Sequence, residues 1–449
     1  MYCKKCGTQV EEGRNFCPNC GSPINSNPSV NDEEAKSPDD VNIQKNVSSK
    51  PKSGKLPMII GIVAVLVLAV FVGGFALKDL FIKKDPASRT LGAFTKISSA
   101  DAVDSTTELK LKVQGASDEN VMVKDILEGM SIKLTTKAKK KTNEMSMNLA
   151  LLYKNSTIVD MNMYADKDQF IISSKDLLDK PVYASYKDLQ KLSSENSSAS
   201  SFDVSKYENL FNLKDDKDYK KLSESYADFF QKTLKDYVKE TGKADVKVNE
   251  GSKAETINCN EITLDMNSQF IKQFVTQLLT KVSTDSDLKA FANKEFSKFY
   301  DEAQKNGDLD KIEKGKDEIK AAKDNFSSQW DEAMTQIKSN LSDIENQLSS
   351  LNFKATAKLR LDNKDRLREL YFETGLGDIL NKVTSSTSET KASLIVDTVY
   401  NSYDNVDISK PSTSGGINLA AADEEELQSM GEDITQKLES IIASKLGVQ

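Results

Sequence analysis

The chain of 449 residues contains no histidine. That absence removes the commonest general acid/base, every Ser/His or Cys/His nucleophilic pair, and any imidazole-ligated metal. Arginine is scarce too: with only Arg14, Arg89, Arg360, Arg366 and Arg368, lysine supplies 56 of the 61 basic side chains. Planar, bidentate grip on phosphate or carboxylate favours arginine, so the chain is poorly equipped for it. Hydrophobic residues make up 38% and charged residues 29%, which leaves much of the chain as solvated surface or linker. The length nevertheless allows two or three domains and a core of ordinary size.

The formal charge of −8 is unevenly spread: residues 1–77 sum to +1 and residues 78–449 to −9. A large acidic part with interspersed signs lacks the basic stripe that displaces phosphate counterions, so nucleic acid is not an expected partner. Catalytic signatures are missing as well, with no G-x-S-x-G, Walker A or H-E-x-x-H pattern. Gly375-Leu-Gly377 lacks the third glycine of a phosphate-binding turn. Asp308-Leu-Asp310 starts like a calcium loop, then places Ile312 and Glu313 where an oxygen ligand and a glycine are needed. The chain therefore reads as a non-enzyme.

What is present begins with cysteine. Cys3, Cys6, Cys17 and Cys20 follow the spacing C-x2-C-x10-C-x2-C, and each pair is followed by glycine, Gly7 and Gly21. Two such turns facing each other present four thiolates tetrahedrally, the closed geometry of a structural zinc site. Each glycine lets the backbone turn tightly beneath the sulfurs. A segment this short has too small a core to fold otherwise, so bound Zn2+ supplies its folding energy. Two disulfides are the rival reading, which the paired C-x2-C spacing disfavours. Cys259 is the fifth cysteine and stands alone.

Leu56–Leu77 (LPMIIGIVAVLVLAVFVGGFAL) runs for 22 residues without a charge. A helix of that length spans the ~30 Å hydrocarbon core of a bilayer. The run is too long and starts too late to be a signal peptide, so one transmembrane helix is expected. Flanking charge does not orient it, with four basic residues within 18 positions on either side. The ribbon does, because its thiolates stay reduced in the cytosol. Residues 78–449 are then extracytoplasmic. Between ribbon and span, residues 25–55 are rich in Ser, Asn, Pro and charge and form a flexible linker.

The outer region shows two periods. After Pro86, Leu91, Phe94 and Ile97 mark a short amphipathic helix. Apolar residues then alternate at Leu109–Val113, Ile132–Ala138, Met145–Leu151 and Val159–Met163, with Lys154-Asn-Ser156 and Asp166-Lys-Asp168 as turns. Phe170–Ile172 and Pro181–Tyr183 continue the strands. Such alternation predicts an antiparallel sheet with one apolar and one wet face. Tyr219, Leu222, Tyr226, Phe230 and Leu234 switch to helical spacing, and a hairpin returns at Val246–Met266. A helical insertion covers about 267–351, including a ~40-residue stretch from Asp308 whose stripe through Phe326, Trp330, Ile337 and Leu348 is near a heptad and is expected to pack within its own domain. Strands resume at 353–361, 370–372 and 392–400; Pro411 ends the fold, and 412–449 is a polar tail with an amphipathic helix opening at Asp423-Glu-Glu-Glu426. The expected fold is a small four-cysteine ribbon (1–24), a transmembrane helix (56–77) and an α+β domain (78–411), a curved antiparallel sheet with a long helical insertion.

The first 24 residues, with Tyr2-Cys3-Lys-Lys-Cys6-Gly7 and Asn15-Phe16-Cys17-Pro-Asn-Cys20-Gly21, resemble the zinc-ribbon family that often opens single-pass membrane proteins of Gram-positive, clostridial-type bacteria. The resemblance implies that all four cysteines are ligands. The helix–strands–insertion–strands order of 86–411, and Tyr164–Tyr186 most of all, resembles the curved-sheet fold of lipoprotein carriers, which implies a half-barrel around apolar space.

Two functions are expected from this layout. The first is a membrane-anchored envelope protein whose cytosolic ribbon contacts a protein partner and whose outer domain binds an extracytoplasmic ligand or protein, passing an outside event inward. The alternative is a carrier of lipid-like molecules, or an assembly scaffold, without signalling. Met145, Met147, Met161 and Met163 would suit an adaptable apolar pocket and equally an ordinary core.

Overall fold

The computed structural model describes residues 85–114, 121–189, 206–207, 210, 213, 216–250, 253–311, 315–350, 354–376 and 391–446. The ribbon, the linker and the expected span Leu56–Leu77 lie outside the described residues. Among those described, no helix is long and apolar enough to cross a membrane.

Helix α1 (Pro86–Ser99) starts where expected. Asp85 caps it, taking the Ser88 N–H at 3.0 Å, and Pro86 occupies the first turn where its missing N–H costs nothing. Strand β1 (Ala102–Gln114) leads through a short α2 (Val121–Gly129) into β2 (Met130–Lys139), β3 (Glu144–Tyr153), β4 (Ser156–Ala165), β5 (Gln169–Ser173) and β6 (Val182–Ser185). The β3–β4 turn is the expected one: Lys154 and Asn155 both take positive φ, the backbone twist that a tight two-residue hairpin requires. At β4–β5, Asp166 Oδ1 accepts the N–H groups of Asp168 and Gln169 and sets the turn.

A second run follows, with α3 (Lys217–Leu234), β7 (Val238–Glu250) and β8 (Lys253–Asn267). Four helices are then inserted, α4 (Ser268–Thr284), α5 (Ser286–Lys305), α6 (Lys316–Asp324) and α7 (Phe326–Ser350), before β9 (Lys354–Leu361), β10 (Leu367–Gly375) and β11 (Lys391–Tyr403). The chain closes with β12 (Ile417–Asn418) and α8 (Glu424–Leu446).

All strands join one large curved sheet in the order β12-β6-β5-β4-β3-β2-β1-β11-β10-β9-β8-β7. Every pair is antiparallel except β12 with β6. Two meanders thus meet where β1 pairs with β11, across nearly 300 residues of sequence (Thr107 opposite Thr398).

Apolar clusters hold the helices. Tyr219, Leu222, Tyr226 and Phe230 of α3 pack with Phe291 and Phe296 of α5 and with Phe326 and Trp330 of α7. Ala93 of α1 closes over Val238, Ile262, Leu359 and Leu367 of the sheet. The near-heptad residues Phe326, Trp330, Ala333 and Ile337 therefore face their own domain, as the sequence suggested.

Three expectations need correcting. The ~40-residue helix is broken at Asn325, whose N–H and side-chain amide both donate to the Ala321 carbonyl and close α6. The returning hairpin starts at Val238 and not at Val246, because the polar stretch Lys239–Lys243 hides the strand. Order also continues past Pro411, where Ile417–Asn418 adds a short strand to β6.

Candidate functional site

Register places one row of apolar side chains across nine strands. It runs Val238–Leu264–Ala357–Phe372–Val396–Leu109–Ile132–Leu151–Val159, each residue directly opposite the next. A neighbouring row carries Thr398–Thr107–Leu134–Leu149–Met161, and a third carries Met147–Met163–Ile172–Val182. Period-two alternation in the sequence encodes this face, since successive side chains leave a strand on opposite sides.

Coverage differs along the row. At the β7–β10 end, under α1, Val238 is 4% exposed and Leu359 is 2% exposed. At the β2–β3 end, Ile132 is 42% and Leu149 38% exposed. Met145, Met147, Met161 and Met163, singled out from the sequence, are half-buried on the same face as Leu149. Helix α2 approaches the ends of β1–β3, and α8 lies beside β4. The open stretch of β1–β4 carries no charge on these rows, only aliphatic residues, methionine and threonine. Such a surface can bury hydrocarbon and offers almost nothing to a polar ligand.

The opposite face is partly covered as well. The tip of the β7–β8 hairpin curls over it, burying Val246, Val248 and Cys259 against Ile257 and Val399, while the Asn249 N–H donates to Asn401 Oδ1 at 3.1 Å. Burial pushes the Cys259 thiol up to about 11, so it is no nucleophile. Lys410 spans Tyr164 and pairs with Asp166 at 2.8 Å. Burial works against the Asp166 charge, but Lys410 and two backbone amides outweigh it and hold the carboxyl at about 2.

Charged groups gather at the β9–β10 turn. Asp362 accepts the Lys364 and Arg366 N–H groups and the Nε–H of Arg366 and Arg368, all within 3.0 Å. Both guanidinium groups flank the Tyr403 ring, whose hydroxyl donates to the Leu367 carbonyl at 2.5 Å. Nearby, a cleft of about 500 Å³ lined by Lys96, Asp101, Lys364, Arg366, Tyr403 and Asp404 is polar and wide open. Two of its three cations already have partners: Lys96 donates to the Lys364 and Asp365 carbonyls, and Arg366 to Asp362. This cluster is a structural brace, and sequence reading missed it because Asp362, Arg366 and Arg368 look like ordinary surface charge.

Among the described residues, no group of three or more Cys, Asp or Glu side chains could hold a metal ion. Cys3, Cys6, Cys17 and Cys20 lie outside the described residues. Four soft thiolates at paired C-x2-C spacing are a donor set that suits tetrahedral zinc.

Comparison with known proteins agrees at that point. Residues 2–24 match the zinc-ribbon domain, so the chain carries a zinc ribbon at its N-terminus. Neither a curated protein nor a solved structure matches the chain.

Proposed function

We propose that this is a non-enzymatic, membrane-anchored envelope protein: a cytosolic ribbon holding structural zinc, one transmembrane helix at Leu56–Leu77, and an extracytoplasmic domain that binds a ligand or protein. The observation that carries the reading is a matched four-thiolate ribbon and a charge-free, span-length run within one chain. The missing histidine and the absence of catalytic motifs support a binding role. The ribbon contacts a cytosolic protein and relays an event from outside. Crosslinking in cells tests this: partners captured at the ribbon are expected to vanish when Cys3, Cys6, Cys17 and Cys20 become serine.

A carrier reading has its own support, the apolar rows that stay open around Ile132 and Leu149. It gains if Cys→Ser ribbons keep every phenotype while Leu149→Asn abolishes it.

A further inference from the structure

The two edges of the sheet are finished differently. Edge strand β7 presents Lys239, Glu240, Lys243 and Asp245, with a bulge between Glu240 and Gly242 and Gly242 at φ 141°. Charge and a bulge discourage pairing with another chain. Strand β6 at the far side reads Val-Tyr-Ala-Ser, without charge or bulge. The chain covers that edge with its own β12, in the sheet's sole parallel pairing among the described residues.

The contact is short and specific. Ile417 N–H donates to the Pro181 carbonyl and Leu419 N–H to the Tyr183 carbonyl, each at 2.9 Å. Gly416 permits the approach, because a Cβ there would lie 2.6 Å from the Pro181 oxygen. Asn418 then ends the strand, its carbonyl taking the Ala421 and Ala422 N–H groups. The hold is slight: no described side chain from Asp407 to Lys445 is buried. Beyond Pro411, the ion pair to the rest of the fold among the described residues is Lys437–Asp179, with Asp179 83% exposed. A segment with so few buried contacts opens at little free-energy cost.

We propose that the β6 edge is a strand-docking site, closed at rest by residues 412–419 and opened to an extended segment of a protein partner that enters parallel to β6. The resident segment defines what fits: two small residues that pass the Pro181 carbonyl, then an apolar residue, a polar residue and an apolar residue, as in Gly-Gly-Ile-Asn-Leu. Main-chain bonds would supply the affinity and the alternate side chains the selectivity. This site draws on neither the ribbon nor the open stretch of the apolar face around Ile132 and Leu149, although Val182 of β6 ends one of that face's rows, and it goes beyond the function proposed above.

A peptide spanning residues 412–422 is the probe, titrated against the full chain and against Gly416→Val. The valine's Cβ clashes with the Pro181 oxygen and evicts β12, which hydrogen exchange at Ile417 and Leu419 reports. Gly416→Val is expected to bind the wild-type peptide at least ~10-fold tighter than the intact chain does, whose tethered strand competes at an effective concentration of order mM. A peptide carrying the same valine should bind neither. The proposal is overturned if the evicted edge ignores the wild-type peptide, or if Ile417 and Leu419 in the intact chain exchange as slowly as the β1–β11 amides. Should Gly416→Val fail to fold, the chain ended at Pro411 takes its place, with the same two outcomes.

Discussion

Asp362 is a buried carboxylate that accepts four hydrogen bonds. Burial opposes its charge, but the Arg366 and Lys364 amides, with the Arg366 and Arg368 guanidinium groups, outweigh that and hold its carboxyl below the ordinary value of 3.8. A lowered pKa means that its stabilisation is present above the ordinary carboxylate range and is lost as pH falls through the shifted value. Asp362→Ala leaves Arg368, only 6% exposed at its side chain, without its carboxylate partner and with the Tyr400 and Asn401 carbonyls alone as acceptors among the described residues. The expected cost in urea denaturation at neutral pH is about 3–5 kcal/mol, shrinking in acid. Asp397 behaves oppositely. Burial, then the negative charge of Glu369, push its carboxyl up, and its Oδ1 is buried with no hydrogen-bond partner among the described residues. Its ionised form therefore destabilises the fold at neutral pH. Asp397→Asn should raise the melting temperature at pH 7, with the gain fading as pH drops below the carboxylate range; an equal gain at both pH values would contradict this. Neither acid was legible in the sequence, where 69 acids look alike and burial depends on contacts far along the chain.

Single elements were read far better than their pairings. Each alternating run became a strand because period two records which side chains share a face, and the helix at Pro86 followed from its proline and from Leu91 and Ile97, whereas Phe94 of the same expected stripe is 41% exposed. Missed features were short or polar. Val121–Gly129 is too brief for its period to separate helix from strand, and Asp324-Asn325 breaks a stripe that continues on either side. Nothing local announced that β1 would lie beside β11. The same face also differs in worth from end to end. Leu359→Ala, beneath α1, is expected to cost about 2–5 kcal/mol. Leu149→Asn, at the open end, should cost less than about 1 kcal/mol because that side chain is already 38% exposed. Chemical denaturation of both variants checks the contrast, and similar losses would mean that the β2–β3 end is covered after all.

At the scale of the whole molecule, the account joins a ribbon that needs reduced thiolates to an acidic α/β domain through a charge-free run. The cytosol protects such thiolates, and the net charge of −9 beyond residue 77 suits a large solvated domain on the other side. Zinc should follow the ribbon: one ion per chain is expected by metal analysis, and none after Cys3 and Cys6 are replaced by serine. Sidedness is the central claim. Cys259 makes a poor reporter, being 1% exposed with its thiol raised to about 11. Lys141 is better placed, its side chain 79% exposed on the β2–β3 turn. The deciding measurement is an impermeant maleimide applied to intact cells expressing the Lys141→Cys chain, with adducts mapped by mass. The account predicts modification at position 141 before lysis, and at Cys3, Cys6, Cys17 and Cys20 only after lysis with a chelator. Adducts on the four ribbon cysteines of intact cells, with position 141 silent until lysis, would contradict it.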